Sequence, residues 1–204
     1  LASRIQRKHG GGVLMTRIGF VMDLDRCSGC QSCEVACKYE NGIALGEYWS
    51  KVITVGPMGT YPDIQMYWLP VNCQQCENPP CIDVCPTGAS YRDSENGLVL
   101  VDKDTCIGCK SCLGACPYNV RQFNEEKQLV EKCTTCFHLD EPLCVRNCPG
   151  ACRFIGDLDD PSSEVSKILA AADPSTIHQL SDSGNGPSTY YLLSPKYAQW
   201  QEIL

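Results

Sequence analysis

CIGCKSCLGACP, residues 106–117, sets cysteines at positions 106, 109, 112 and 116 and a proline directly after the last. The same run, C-x2-C-x2-C-x3-C, stands at residues 27–37 as CSGCQSCEVAC, with Cys27, Cys30, Cys33 and Cys37, and is followed by Lys38 where a proline would fall. Two looser groups complete the pattern. CQQCENPPCIDVCP carries Cys73, Cys76, Cys81 and Cys85, and CTTCFHLDEPLCVRNCP carries Cys133, Cys136, Cys144 and Cys148. Pro86, Pro117 and Pro149 close groups two, three and four. The chain is a fourfold internal repeat that absorbs all but one of its 17 cysteines.

The spacing has a physical logic. Three cysteines at intervals of three wrap a tight loop, whose backbone N–H groups can face the sulfurs of a bound cluster. The fourth lies one helical turn on, and the proline keeps that turn from continuing. Its thiolate therefore points away from its own loop, as in bacterial two-cluster ferredoxins, where it ligates the neighbouring cubane. The alternative is zinc, because separated C-x2-C pairs build four-cysteine zinc sites. Nothing about zinc calls for a third cysteine at the next step, so iron–sulfur is the preferred reading. Disulfides fit poorly. The cysteine count is odd, C-x-x-C recurs six times, and cysteines so close in sequence seldom reach unstrained disulfide geometry. Cys152, in GACRFIG, is left over. It reads as a buried free thiol, with a reactive thiol or an alternative ligand as the other readings.

At 204 residues the chain has room for one or two modest domains. A net charge of −7 gives no support for a nucleic-acid partner. The best local apolar run, Ile168 to Ala172, falls far short of the roughly eighteen residues of a membrane span, so a membrane would be reached only through a partner. Leu1–Val13, with Arg4, Arg7 and Lys8 before three glycines, reads as a frayed extension, with Met15 as the expected natural start. His9, His138 and His178 stand apart from one another, and His138 is expected beside a cluster, not as a ligand. No nucleophile–base constellation, phosphate loop or paired-carboxylate motif occurs, so no catalytic residue is expected. The acidic GDLDD (156–160) runs into Pro161 and reads as structural.

Between the groups the pattern is of short strands. Arg17–Leu24 alternates as a strand entering group one, and Leu98–Val101 does the same before group three. Lys51–Val55 and Ile64–Leu69 form one expected hairpin, and Val120–Phe123 and Gln128–Val130 a second. Asp160 and Pro161 read as N-cap and first residue of a helix to about Ala172. The last segment, with Tyr190, Tyr191, Leu192, Leu193, Tyr197 and Trp200, suits docking on a partner or folding back on its own domain. The fold class is α+β, with small elements packed on clusters in place of a large core.

The stretches CSGCQSCEVACKYEN, YPDIQMYWLPVNCQQCENPPCIDVCPTGA, CIGCKSCLGACPYNV and RFIGDLDDPSSEV, between about residues 17 and 166, resemble the four-cluster iron–sulfur subunit of molybdenum oxidoreductases of the dimethyl sulfoxide reductase family. The likeness is nearer to arsenate-, polysulfide- and tetrathionate-type reductases and related dehydroxylases than to nitrate reductase. It implies two interleaved ferredoxin-like lobes: residues 17–50 with 129–157 outside, and 64–128 inside. An extension (1–16) would precede this 17–157 domain, and a helix with a partner-docking tail (158–204) would follow. It also implies a pairing of ligands. One cluster takes Cys27, Cys30, Cys33 and Cys148, and its neighbour Cys133, Cys136, Cys144 and Cys37. In the inner lobe, one takes Cys73, Cys76, Cys81 and Cys116, and the last Cys106, Cys109, Cys112 and Cys85. Some relatives replace a group-three cysteine and hold a three-iron cluster; all are present here, so four [4Fe–4S] cubanes are expected. Two departures stand out: Cys152 itself, and a linker of only sixteen residues (117–132) where many relatives carry an insertion. The short linker weakens any membrane-anchor contact made through such an insertion.

The implied function is one-electron relay without substrate chemistry on this chain. The obligate partner would be a large catalytic subunit holding bis-molybdopterin guanine dinucleotide molybdenum, with a membrane anchor or quinol-oxidising subunit as a further partner. The group-one cluster would lie nearest the catalytic subunit. Lys110 and Lys132, adjacent to ligands, are candidate positive tuners of cluster potential, or else ordinary surface lysines. A free-standing polyferredoxin is the rival reading, and a zinc-stapled interaction module a remote one. Assembly is expected in the cytoplasm, where thiols stay reduced, with a final site there or across the membrane after folded export on a partner's twin-arginine signal.

Overall fold

The computed structural model describes residues 16–203. Arg4, Arg7, Lys8, His9 and Met15 lie outside the described residues. Strand β1 (Ile18–Asp23) enters group one, and α1 (Ser32–Asn41) leaves it. A long antiparallel hairpin follows, β2 (Ser50–Met58) with β3 (Gln65–Asn72), in which Ser50 faces Asn72 and Val55 faces Tyr67. Group two holds α2 (Pro80–Asp83) and leads into a hairpin of β4 (Ser90–Arg92) and β5 (Val99–Val101). Group three holds α3 (Ser111–Gly114) and leads into β6 (Arg121–Asn124) and β7 (Leu129–Lys132). Group four holds α4 (Leu143–Arg146), followed by β8 (Arg153–Asp157), α5 (Glu164–Ala171), a single 3₁₀ turn at Pro174–Thr176, β9 (Ile177–His178) and β10 (Thr189–Leu192).

The helix lengths follow the prolines. Groups two, three and four end in Cys-Pro, and their helices are single turns of four residues. Group one has Lys38 instead, and α1 runs for ten residues, past Cys37 to Asn41. A ring that blocks the next helical hydrogen bond explains the contrast. Helix α1 packs on α4, and α2 on α3, so the first group meets the last and the second meets the third.

The largest sheet has the order β8-β1-β10-β9. Central β1 pairs antiparallel with β8 and parallel with β10, which explains why Phe20, Val21 and Met22 are all buried despite facing opposite sides. The main core joins this sheet to the long hairpin through Phe20, Met22, Leu69, Tyr191 and Leu193. A second, much smaller cluster is formed by Cys81, Val99, Cys112 and Val130.

The C-terminal segment folds back on its own domain, one of its two expected readings: β10 lies beside β1 with Tyr191 and Leu193 buried, and Trp200 stacks on Tyr67 and His178 with ring centroids 6.2 and 4.9 Å apart, while Tyr197 stays exposed. Two local expectations need correction. The cap of α5 is Ser163, not Asp160: its Oγ accepts the Ser166 N–H at 3.2 Å, while Asp160 Oδ1 accepts the Ser162 N–H at 2.8 Å in the preceding turn. Finally, β4, β8, β9 and β10 have no counterpart among the expected strands; β4 and β9, of three and two residues, have no alternation to read.

Candidate metal centres

Groups one and three share one backbone shape. Gly29 and Gly108, just before the second cysteine, both have φ +66°, and Gln31 and Lys110, just after it, have φ 61° and 64°. A Cβ at Gly29 would run into the Trp68 ring, and one at Gly108 into the Gln128 carbonyl, so both steric room and left-handed φ select glycine. The loops also place matched hydroxyls. Ser32 Oγ lies 3.4 Å from Cys30 Sγ, and Ser111 Oγ 3.5 Å from Cys109 Sγ. These contacts hold both thiols below their ordinary range.

Four small cavities lie beneath these loops. The first is lined by Cys27, Cys30, Cys33 and Cys148, with Cys152 and Arg153. The second is lined by Cys37, Cys133, Cys136 and Cys144, again with Arg153. The third is lined by Cys73, Cys76, Cys81 and Cys116. The fourth is lined by Cys85, Cys106, Cys109 and Cys112, with Arg121. Each cavity thus collects three cysteines of one group and one of another.

The walls are shared in sequence. Arg153 lines the first and second cavities. Asn72 lines the second, with Nδ2 4.0 Å from Cys133 Sγ, and is followed in the chain by Cys73 of the third. Arg121 lines the fourth and donates from Nη2 to Cys81 Sγ of the third at 2.9 Å. The four cavities therefore form a row. Cys30 and Cys109, at its two ends, are the exposed cysteines, whereas Cys133 and Cys73 at its middle are buried.

The electrostatics fit thiolate-held clusters. Burial pushes Cys133 and Cys76 up to about 12 and raises Cys37 and Cys81, so these thiols resist ionising alone; coordination to iron would deprotonate them. The arginines show the reverse deficit. Arg121 is 2% exposed and Arg153 3%, and among the described ion pairs neither meets a carboxylate. Arg121 Nη1 and Arg153 Nε and Nη1 have no hydrogen-bond partner. Burial works against each charge, and the groups arrayed to oppose that are cysteines, which as thiolates hold the guanidinium proton: Cys81, Cys73 and Cys112 for one, Cys144, Cys33 and Cys133 for the other. A buried, unpaired guanidinium is costly, and an anionic cluster held by the neighbouring thiols would supply its partner. Three cysteines of one loop joined by one from another group are the donor set of a polynuclear iron–sulfur cluster more than of one zinc.

Comparison with known proteins agrees. Residues 64–158 match the 4Fe-4S dicluster domain. The chain is 36% identical to the arsenate respiratory reductase iron–sulfur subunit of Shewanella sp. (strain ANA-3), over 87% of this chain and 97% of that one. It is 38% identical to a subunit of the sulfite dehydrogenase of Allochromatium vinosum, over 87% and 83% of the two chains. It is also 38% identical to a subunit of the tetrathionate reductase of Salmonella typhimurium, over 92% and 81%. It is 43% identical to a putative dimethyl sulfoxide reductase iron–sulfur subunit of Halobacterium salinarum, over 87% and 79% of the two chains. The chain belongs to the iron–sulfur subunits of the dimethyl sulfoxide reductase family. It is accordingly an electron-transfer subunit that binds [4Fe–4S] clusters and works in a multi-subunit oxidoreductase.

Other residues of this iron–sulfur subunit take their places around the cavities. Lys132 is no surface residue: it is buried, and its Nζ donates to the Val99 and Cys133 carbonyls. Lys110 is half exposed, 3.7 Å above the Phe123 ring and 3.6 Å from Glu125. His138 lies at the surface, 2.9 Å from Glu40. Cys152 is buried, 3.3 Å from Cys148 Sγ, and keeps its proton while its contact favours the Cys27 thiolate. Sequence reasoning missed the amides and guanidiniums. Asn41 Nδ2 is 3.8 Å from Cys37 and Cys136, and Asn185 Nδ2 is 3.3 Å from Cys76. Asn185 and Asn72 come from distant segments and left no local signal. Arg121 and Arg153 did leave one. Each stands five residues after a closing cysteine, in CPYNVR (116–121) and CPGACR (148–153).

Proposed function

We propose that this iron–sulfur subunit relays single electrons through four [4Fe–4S] clusters, between the molybdopterin site of a larger catalytic subunit and a second redox partner. The observation that carries the reading is the row of four thiol-lined cavities with exposed cysteines only at its ends. The ligand sets are Cys27, Cys30, Cys33 and Cys148; Cys133, Cys136, Cys144 and Cys37; Cys73, Cys76, Cys81 and Cys116; and Cys106, Cys109, Cys112 and Cys85. The first two sets form an outer lobe and the last two an inner lobe, interleaved in the chain like two ferredoxins.

The chain's own residues insulate the middle and open the ends. Cys133, Cys73 and Asn72 are buried where the lobes meet, which keeps water from the central pair. At one end Cys30 is exposed and at the other Cys109, so each terminal site is open to a partner. The group-one end is assigned to the catalytic subunit and the group-three end to the second partner. Among the described residues no helix is long and apolar enough to cross a membrane. Relatives that share 36–38% identity are named for arsenate, sulfite and tetrathionate, which fits a relay that leaves substrate choice to its partner.

The test is metal analysis of the complex, purified without oxygen from its native cells through a tag on this chain. About one molybdenum per 16 to 20 irons is expected if four or five cubanes serve one active site. Iron at about 16 per chain without molybdenum would remove the catalytic partner from the account. Zinc in place of iron would remove the relay.

A further inference from the structure

The two buried arginines occupy equivalent places. Each opens the strand that follows a Cys-Pro turn, Arg121 at the start of β6 and Arg153 at the start of β8. Each sits between two neighbouring cavities of one lobe. Arg153 lines both outer cavities, with Cys33 on the wall of one and Cys133 and Cys144 on the wall of the other. Arg121 lines one inner cavity and donates to Cys81 of the other. Their neutral partners leave donors to spare. Arg153 Nη2 reaches Asn72 Oδ1 at 3.4 Å, and Arg121 Nη2 reaches Ser90 Oγ at 2.7 Å, yet Nη1 of each is unpartnered. Ser90 in turn stands five residues after Cys85, the place that arginine takes in groups three and four.

A guanidinium is flat, always charged and carries five donors in a fixed fork, so one side chain can address anionic groups on two sides at once. A lysine ammonium is a single point charge on a flexible stem. Iron–sulfur potentials respond to hydrogen bonds at sulfur, to burial and to nearby charge. Adding an electron makes a cluster more negative, so a fixed positive charge stabilises the reduced form and raises the potential. One charge between two clusters acts on both.

We propose that Arg121 and Arg153 are paired tuning residues, each bridging the two clusters of its lobe and raising both of their potentials together. The proposal rests on the four-cluster reading above. Its consequence is a pattern: the potentials are set by lobe, two at a time, and not cluster by cluster. Lys110 and Lys132 carry less of this effect, because the first is half exposed and paired with Glu125, and the second spends its donors on carbonyls.

The test is a redox titration followed by electron paramagnetic resonance on the intact complex, with iron counted in the same samples. Arg153→Gln should make two clusters harder to reduce, with at least a tenfold fall in the reduced-to-oxidised ratio at fixed potential, about 59 mV for one electron. The other two should change by less than twofold. Arg121→Gln should move the complementary pair, and Arg→Lys at either site should recover part of the shift. A full iron count with all four potentials unmoved, or with one cluster moved alone, would overturn the proposal while leaving the relay intact. An iron count below four clusters in the unmutated complex would take down the relay and the proposal with it. Should either Gln variant fail to load iron, the unmutated protein grown on arginine labelled with ¹⁵N in the guanidinium gives the answer. Pulsed resonance should then show ¹⁵N coupling to reduced clusters of both lobes, and its absence would overturn the proposal.

Discussion

The outer and inner pairs of cysteine groups carry the same kind of site on unequal frameworks. Around groups one and four stand a ten-residue helix, a four-stranded sheet and a core that includes Phe20, Met22, Tyr191 and Leu193. Around groups two and three stand two single-turn helices and two short hairpins, with a small cluster of their own at Cys81, Val99, Cys112 and Val130, while Cys73, Tyr118 and Val120 join the main core. Two of the four residues in the small cluster are cysteines. The hairpins of the inner half therefore have little apolar area of their own and lean more on what their thiols bind, whereas the outer half has a sheet in reserve.

Iron removal should separate the halves most strongly. On chelation, amides of β4 to β7 are expected to lose hydrogen-exchange protection by orders of magnitude, while β1 and β10 keep part of theirs. Simultaneous loss throughout would break the comparison. Single ligands should grade by position in the row. Cys133→Ser, at the buried middle, should cost about 3–5 kcal/mol in urea unfolding, and Cys109→Ser, at the exposed end, about 1 kcal/mol. Equal costs would mean that burial does not set the contribution of a site. The reserve in the outer half should itself be measurable. Trp200→Ala removes contacts with Tyr67, His178 and Tyr191 and should cost about 2–3 kcal/mol, without altering iron content. A loss of the partner subunit with unchanged stability would return the C-terminal segment to a docking role. The smallest effect is expected at the α5 cap, where Ser163→Ala should lower stability by about 1 kcal/mol.

Much of this was legible because cysteine spacing is local. The loops, their C-P ends and the hairpins between them all fall within a few residues of the signal, and the absence of proline after Cys37 is the local cause of the longer α1. The pairing across groups is not local. It follows from family likeness, and the cavities gather the same sets of cysteines. The place of the C-terminal segment is hidden for the same reason: TYYL (189–192) pairs in parallel with a strand about 170 residues earlier, and no periodicity within four residues announces such a partner. Asn72 and Asn185 approach the sites through tertiary packing alone. Arg121 and Arg153 were legible in principle, since their shared offset from Cys116 and Cys148 is in the sequence, but a search confined to thiols passes over them.

The four-cluster row is tested most directly by the iron, acid-labile sulfide and zinc content of the chain isolated without oxygen, with unpaired spins counted after full reduction. About 16 irons and as many sulfides per chain are expected, with spin intensity for four interacting clusters and no zinc. About half that iron, with intensity for two clusters, would contradict the row of four.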